Sequence, residues 1–190
     1  HMPWCVRKCP YCDFNSHAVP DGQLSLELEQ EYLRALVEDF KTQVDFAQGR
    51  QIHSVFIGGG TPSLISALGY QWLFDQLKAV IPFAEGCEIT LEANPGTVEH
   101  DPFAGYLQAG INRLSIGVQS FNTEHLKRLG RIHSNEDAIS AIGLAREAGF
   151  QRINVDLMHG LPEQTLDQAL HDLKLAVEQG ATHISWYQLT

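Results

Sequence analysis

Five short apolar runs limit what this chain can fold into. They fall at residues 54–57, 88–92, 113–118, 152–157 and 183–189, with cores reading Val-Phe-Ile, Ile-Thr-Leu, Leu-Ser-Ile, Ile-Asn-Val and Ile-Ser-Trp-Tyr. Runs of this length and composition suit strands buried on both faces of a parallel sheet. Between them lie stretches with apolar residues at helical spacing. Across 25–48 these are Leu33, Leu36, Val37, Phe40 and Val44, with Glu27, Glu29 and Glu31 at the end where the helix dipole favours negative charge. Leu73, Leu77 and Val80 form a second stripe within 66–81, stopped by Pro82. A shorter helix is predicted over 103–109. Ser134-Asn135-Glu136-Asp137 and Thr165-Leu166-Asp167-Gln168 read as capping sequences, ahead of helices that end at Gly149 and Gly180. Strand–helix–strand repeats of this kind demand right-handed crossovers, and either a (β/α) barrel or an open doubly wound sheet meets that demand. No strand is predicted ahead of Cys5, and Thr190 stands at the tip of the fifth run. Residues 1–190 are therefore expected to form one domain, a fragment cut from a longer protein at both ends.

The unusual polar residues collect at or just after the strand ends. Gly58-Gly59-Gly60-Thr61-Pro62 follows the first run, Glu92-Ala93-Asn94-Pro95 closes the second, and Gln119-Ser120-Phe121 follows the third. Asp156 is expected near the end of the fourth and Gln188 near the end of the fifth. Parallel α/β folds bind ligands at the carboxyl ends of their strands. Glycines without a Cβ let a ligand reach bare backbone, and Pro62 stiffens the exit. The Gly-Lys-Ser/Thr ending of a phosphate loop is absent. Glu92 ends an apolar strand, where a carboxylate needs a partner such as an ammonium or hydroxyl group. Gln119 can donate and accept, Arg131 can clamp a carboxylate, and Asp156 can accept from ribose hydroxyls. Each of these residues is equally open to a structural role.

Cys5, Cys9 and Cys12 stand in Trp4-Cys5-Val6-Arg7-Lys8-Cys9-Pro10-Tyr11-Cys12-Asp13-Phe14, a C-x3-C-x2-C spacing. Three clustered thiolates can hold three irons of a [4Fe-4S] cluster and leave the fourth iron open, whereas electron-transfer clusters normally use four cysteines. A zinc site completed by His17 is the alternative, although zinc favours paired ligands. Cys87 lies far along the chain and reads as a small buried apolar residue.

Composition narrows the setting. The chain carries 23 acidic residues against 13 Lys and Arg, a formal charge of −10, which opposes a broad nucleic-acid or anionic-membrane surface. The most basic stretch, Lys127-Arg128-Leu129-Gly130-Arg131-Ile132-His133, reads as a solvated helix end. No run is long enough to span a bilayer, and three of the four cysteines are clustered, which fits a reducing cytoplasm better than a disulfide framework.

Taken together, these residues resemble the radical S-adenosylmethionine (SAM) enzymes. The carrying stretches run from Trp4-Cys5 through Cys12-Asp13-Phe14-Asn15-Ser16-His17, then Gly58-Gly59-Gly60-Thr61-Pro62, Glu92-Ala93-Asn94-Pro95, Gly117-Val118-Gln119-Ser120-Phe121 and Asp156-Leu157-Met158-His159-Gly160-Leu161-Pro162. The chain looks like the partial (β/α)6-type barrel of the branch that holds anaerobic coproporphyrinogen III dehydrogenase and the HemW-type haem chaperones. The resemblance implies that Cys5, Cys9 and Cys12 bind the cluster. It implies that Gly59, Gly60 and Thr61 line the pocket for the methionine part of SAM. Glu92, Gln119, Arg131 and Asp156 match SAM-contacting positions, and Tyr11 matches an aromatic position beside the adenine. An electron from the cluster would break a carbon–sulfur bond of SAM to give a 5′-deoxyadenosyl radical. In the dehydrogenase pattern a further cysteine follows two positions after the third. Phe14 stands there instead, with Asn15-Ser16-His17, as in the haem-chaperone type. The implied partners are haem or a porphyrinogen, a haem-acceptor protein and an electron donor.

Overall fold

The computed structural model describes residues 1–96 and 101–190. Its centre is a five-stranded, all-parallel sheet of β3 (Ile52–Ile57), β4 (Phe83–Ala93), β5 (Arg113–Gln119), β6 (Ile153–His159) and β7 (His183–Gln188), in that spatial order. Each crossover moves one strand in the same direction. A doubly wound sheet would reverse strand order part-way, so this order selects the barrel alternative, and the sheet curls into a half-barrel.

Helices α1 (Leu26–Thr42), α3 (Ala67–Val80), α4 (Phe103–Gln108), α6 (Asn135–Glu147) and α7 (Leu166–Glu178) cover the outer face. Local sequence sets their ends. Ser25 and Ser66 cap α1 and α3, and both expected capping boxes form, at Ser134/Asp137 and Thr165/Gln168. The helix expected over 25–48 breaks in two. Thr42 turns its hydroxyl back onto the Asp39 carbonyl at 2.6 Å, α1 stops there, and a short α2 (Val44–Ala47) follows. The short α5 (Thr123–Arg128), capped by Asn122 and ending in the basic stretch, stands beside them.

Strand residues alternate in chemistry as well as direction. Leu114, Ile116 and Val118 of β5 and Ile153, Val155 and Leu157 of β6 join Tyr70, Phe74, Tyr106 and Ile142 in the core. Each such side chain contributes about 1.5–3 kcal/mol when fully buried. The intervening Ser115, Gly117 and Gln119, and likewise Asp156 and Met158, line the concave face. The strands are thus apolar on one face only, not on both as expected, because the half-barrel interior is polar. The edge strands β3 and β7 are also largely exposed, with Phe56 61% and Trp186 42% accessible.

The amino-terminal segment corrects a second expectation. Trp4–Cys5 is a short strand, β1, paired in parallel with β2 (His17–Ala18), and Met2 bridges to Gly59. Backbone hydrogen bonds from Met2 to Gly58, Gly60 to Met2 and Thr61 to Trp4, at 2.6–2.7 Å, lay this segment along the glycine loop.

Candidate functional site

The polar concave face and the amino-terminal segment enclose a cleft of about 480 Å³. That volume is in the range of small-molecule and cofactor sites. The residues that the resemblance assigns to the cluster and to SAM all reach it: Cys5, Cys9, Cys12, Tyr11, Gly59, Gly60, Thr61, Glu92, Gln119, Arg131 and Asp156 line its wall.

The cysteines sit on one loop and one strand. Cys5 is buried on β1, while Cys9 and Cys12 are half-buried on a turn closed by the Cys12 amide donating to the Cys9 carbonyl at 3.1 Å. All four cysteines are free. Among the described residues, no three His, Cys, Asp or Glu side chains close around a single ion. His17, the fourth ligand of the zinc alternative, is exposed on β2 and does not line the cleft.

The glycine run serves the chain's own backbone. A Cβ on Gly60 would collide with the Trp4 carbonyl oxygen, and one on Gly59 would meet the Met2 oxygen at 2.7 Å. A Cβ on Gly58 would strike Glu92 Oε2 at 2.8 Å. The loop must therefore stay bare for the segment carrying Cys5 to lie against it. From below, buried Tyr70 donates to the Pro62 carbonyl and Tyr106 to those of Ser63 and Ile65, at 2.7–3.0 Å, so the loop has a rigid floor.

Two carboxylates face the cleft. Glu92 Oε2 accepts from the Gly59 amide at 3.1 Å. Asp156 accepts from Ser115 Oγ at 2.9 Å and Asn154 Nδ2 at 2.8 Å. Burial pushes both carboxyls above their ordinary range, and the charge of Asp156 pushes Glu92 further in the same direction. Asp156 lies mid-strand, not near the strand end as expected, because β6 runs on to His159.

On β5, the register with β6 breaks between Ile116 and Gln119, and Gln119 adopts a left-handed φ of 68°. The irregularity re-aims Gln119, whose Oε1 accepts from the Tyr187 hydroxyl at 2.6 Å. Arg131, on the turn after α5, reaches across the cleft. Its Nη2 donates to Asn94 Oδ1 at 2.7 Å and to the Gly117 carbonyl at 2.8 Å, and its Nη1 points at Cys9 Sγ and Tyr11 Oη, both at 3.5 Å. Arg131 Nε is buried without a partner. Tyr11 has its phenol pushed up to about 12 by burial, against the pull of Arg131.

A family model of the radical SAM superfamily matches residues 1–176. The chain belongs to the radical SAM superfamily. Over its full length it is 54% identical to the protein named haem chaperone HemW of Escherichia coli (strain K12), covering 49% of that protein. It is 55% identical to the protein of the same name from Haemophilus influenzae, covering 50% of it. Among solved structures, coproporphyrinogen III oxidase (HemN) from Escherichia coli, described as a radical SAM enzyme, superposes with a TM-score of 0.85 at 29% identity, covering all of this chain and 43% of that one. The chain spans about half the length of the curated relatives it matches.

In this radical SAM chain the donor set suits the group that the family implies. Three free thiols share a wall with a guanidinium, a bare-backbone loop and two carboxylates held for an incoming donor. Sequence reasoning left Asn94, Ser115, Asn154 and Tyr187 without roles. The signal that finds the first three is period-two alternation: each occupies the polar face of a strand or its direct extension. His159, at the end of β6, does not line the cleft and packs against Trp186 with ring centroids 4.7 Å apart.

Proposed function

We propose that the cleft binds SAM beside a [4Fe-4S] cluster held by Cys5, Cys9 and Cys12, and that the whole protein is a haem chaperone of the HemW type, working in the cytoplasm with a haem acceptor and an electron donor. The gathering of thiols, carboxylates and guanidinium around one cleft carries the first part of this reading. Identity of 54–55% along the whole chain to proteins named haem chaperone supports the second.

When bound, a reduced cluster supplies the electron that cleaves SAM. The chain's own residues bind, orient and shield. Gly59, Gly60 and Thr61 offer backbone and hydroxyl to the methionine end. Glu92 and Asp156 are ready acceptors, fixed by the Gly59 amide and by Ser115 and Asn154, for ammonium and ribose hydroxyl donors. With its carbonyl end tied to Tyr187, Gln119 keeps its amide N–H groups for the ligand. Arg131 brings a fixed positive charge, and the ring of Tyr11 covers the adenine and excludes water.

A second reading, oxidative decarboxylation of coproporphyrinogen III to protoporphyrinogen IX, draws on the 0.85 TM-score with the oxidase. Phe14 speaks against it. An exposed phenyl ring lines the cleft where the dehydrogenase resemblance calls for a thiol. The deciding experiment uses full-length protein, reconstituted anaerobically with iron and sulfide and supplied with SAM, reductant and coproporphyrinogen III. The chaperone reading expects no protoporphyrinogen, and expects haem added to a parallel sample to be bound, as read by absorbance. Protoporphyrinogen together with 5′-deoxyadenosine would replace it with the oxidase reading.

A further inference from the structure

We propose that Arg131 tunes the electron affinity of the cluster through Cys9, and that Asn94 is the positioning residue that holds it there. This rests on the reading of Cys9 as a cluster ligand. Arg131 has no hydrogen-bond partner at Nε among the described residues. Its Nη2 is anchored twice, to Asn94 Oδ1 at 2.7 Å and the Gly117 carbonyl at 2.8 Å, and this places Nη1 3.5 Å from Cys9 Sγ. A separate packing contact fixes the same approach. Gly130 adopts a φ of +71°, and a Cβ there would meet Pro10 at 2.7 Å, so the Arg131 turn lies directly on the cysteine loop. Asn94 also reaches the glycine loop, with Nδ2 donating to Thr61 Oγ1 at 3.4 Å.

A cluster that takes up one electron gains one negative charge, and no bond is made or broken. A guanidinium beside a ligating sulfur stabilises the reduced form more than the oxidised one, and an N–H···S hydrogen bond acts in the same direction. Hydrogen bonds to sulfur and local charge are the established means by which a protein sets the potential of such a cluster. Partial burial makes the charge effect larger than at an exposed site. Asn94 holds, through Oδ1, the Nη2 end of the same guanidinium whose Nη1 points at the sulfur. Its effect passes through the guanidinium.

The test is a potentiometric titration with a low-potential one-electron reductant, followed by electron paramagnetic resonance, on the full-length protein reconstituted without SAM. The variants are Arg131→Met, Asn94→Ala, Asn94→Ser and the Asn94→Ala/Arg131→Met double. The expected midpoint is more negative in Arg131→Met and shifts part of the way in Asn94→Ala. Asn94→Ser keeps an acceptor and shifts less. In the double variant the midpoint equals that of Arg131→Met alone, since the two residues act as one unit. An unmoved midpoint in Arg131→Met with iron and sulfide content intact overturns the proposal, as does additivity in the double variant. Loss of the cluster from all variants but not from the parent also overturns it, because the pair would then build the site rather than tune it. Failure of the parent itself to hold a four-iron cluster sinks the underlying cofactor reading instead, so the two failures are told apart.

Discussion

The Tyr187 hydroxyl donates to Gln119 Oε1 at 2.6 Å, joining residues 68 positions apart across two strands that do not pair with each other. Gln119 already holds a left-handed φ of 68°, which a side chain adopts only where its surroundings enforce it. The hydrogen bond fixes which end of the amide faces the cleft. Tyr187→Phe removes it and frees the amide to rotate. A net hydrogen bond is worth about 1 kcal/mol. Titration calorimetry on the reconstituted full-length protein is therefore expected to show SAM binding weakened by roughly three- to tenfold. Unchanged affinity would remove Gln119 from the binding wall.

Two glycines separate backbone approach from backbone flexibility. Gly60→Ala drives a Cβ into the Trp4 carbonyl and must displace the strand carrying Cys5. The expected cost is about 1–3 kcal/mol, as for other overpacked sites, together with loss of bound iron. Gly143 lies inside α6, and a Cβ there would meet nothing within 4 Å. Gly143→Ala is expected to stabilise the fold by about 0.5–1 kcal/mol. Thermal unfolding of both variants checks the pair, and equal responses would mean that the glycine loop is not packed as described.

The ends of α3, α6 and α7 and the five strands of the central sheet could be read from the chain, because caps, breakers and apolar spacing act locally, whereas the break at Thr42 and the mid-strand place of Asp156 could not. What else could not be read depends on partners distant in sequence. β1 exists only because Gly59 and Gly60 leave room for it, and a two-residue strand has no pattern of its own. The polar inner faces of β4 to β6 hide within runs that look apolar, since Ser115, Asn154 and Thr90 interrupt them one residue at a time. Asn94 was visible within its motif, yet its role depends on Arg131, 37 residues further on. The expected SAM and cluster residues share one cleft because the barrel order brings the strand ends together, a consequence of topology and not of any single motif.

Glu92 should show opposite effects on binding and on stability. Burial raises the pKa of its carboxyl, so in the window between the unfolded and folded values the folded state holds a proton that the unfolded chain has released. Ionised Glu92 therefore costs stability, and that cost grows as pH rises through the raised value. Glu92→Gln is expected to unfold at a higher temperature than the parent near neutral pH, with the gap closing in acid. The same change removes a charge-assisted acceptor for a cationic ligand, a loss of about 1.5–3 kcal/mol in SAM binding. In the parent, SAM affinity should begin to fall, on acidification, above the pH at which an exposed carboxylate titrates. A Glu92→Gln variant that binds SAM as tightly as the parent would place the ligand elsewhere.

His133 makes the acid limit of the fold predictable. It is buried beneath the Arg131 turn, and its Nε2 donates to the Val118 carbonyl at 3.0 Å while Nδ1 has no partner. Burial first, and then the nearby Arg131 charge, lower its pKa to about 4. Protonating Nδ1 would bury an unpaired cationic N–H. The unfolded chain takes up this proton near 6.5 and the folded chain does not. In the window between those values the unfolded state binds more protons, so stability falls as pH falls, by a total of about 3 kcal/mol. The raised carboxyls of Glu92, Asp156 and Asp172 act with the opposite sign. Comparison with a variant isolates the histidine. His133→Gln keeps a donor for Val118 without a titrating ring. Denaturant unfolding of both proteins from pH 7 to pH 4 should show the parent losing stability relative to His133→Gln through that window. Parallel curves would mean that the ring reaches water in the folded protein and that the Arg131 turn opens more readily than its packing implies.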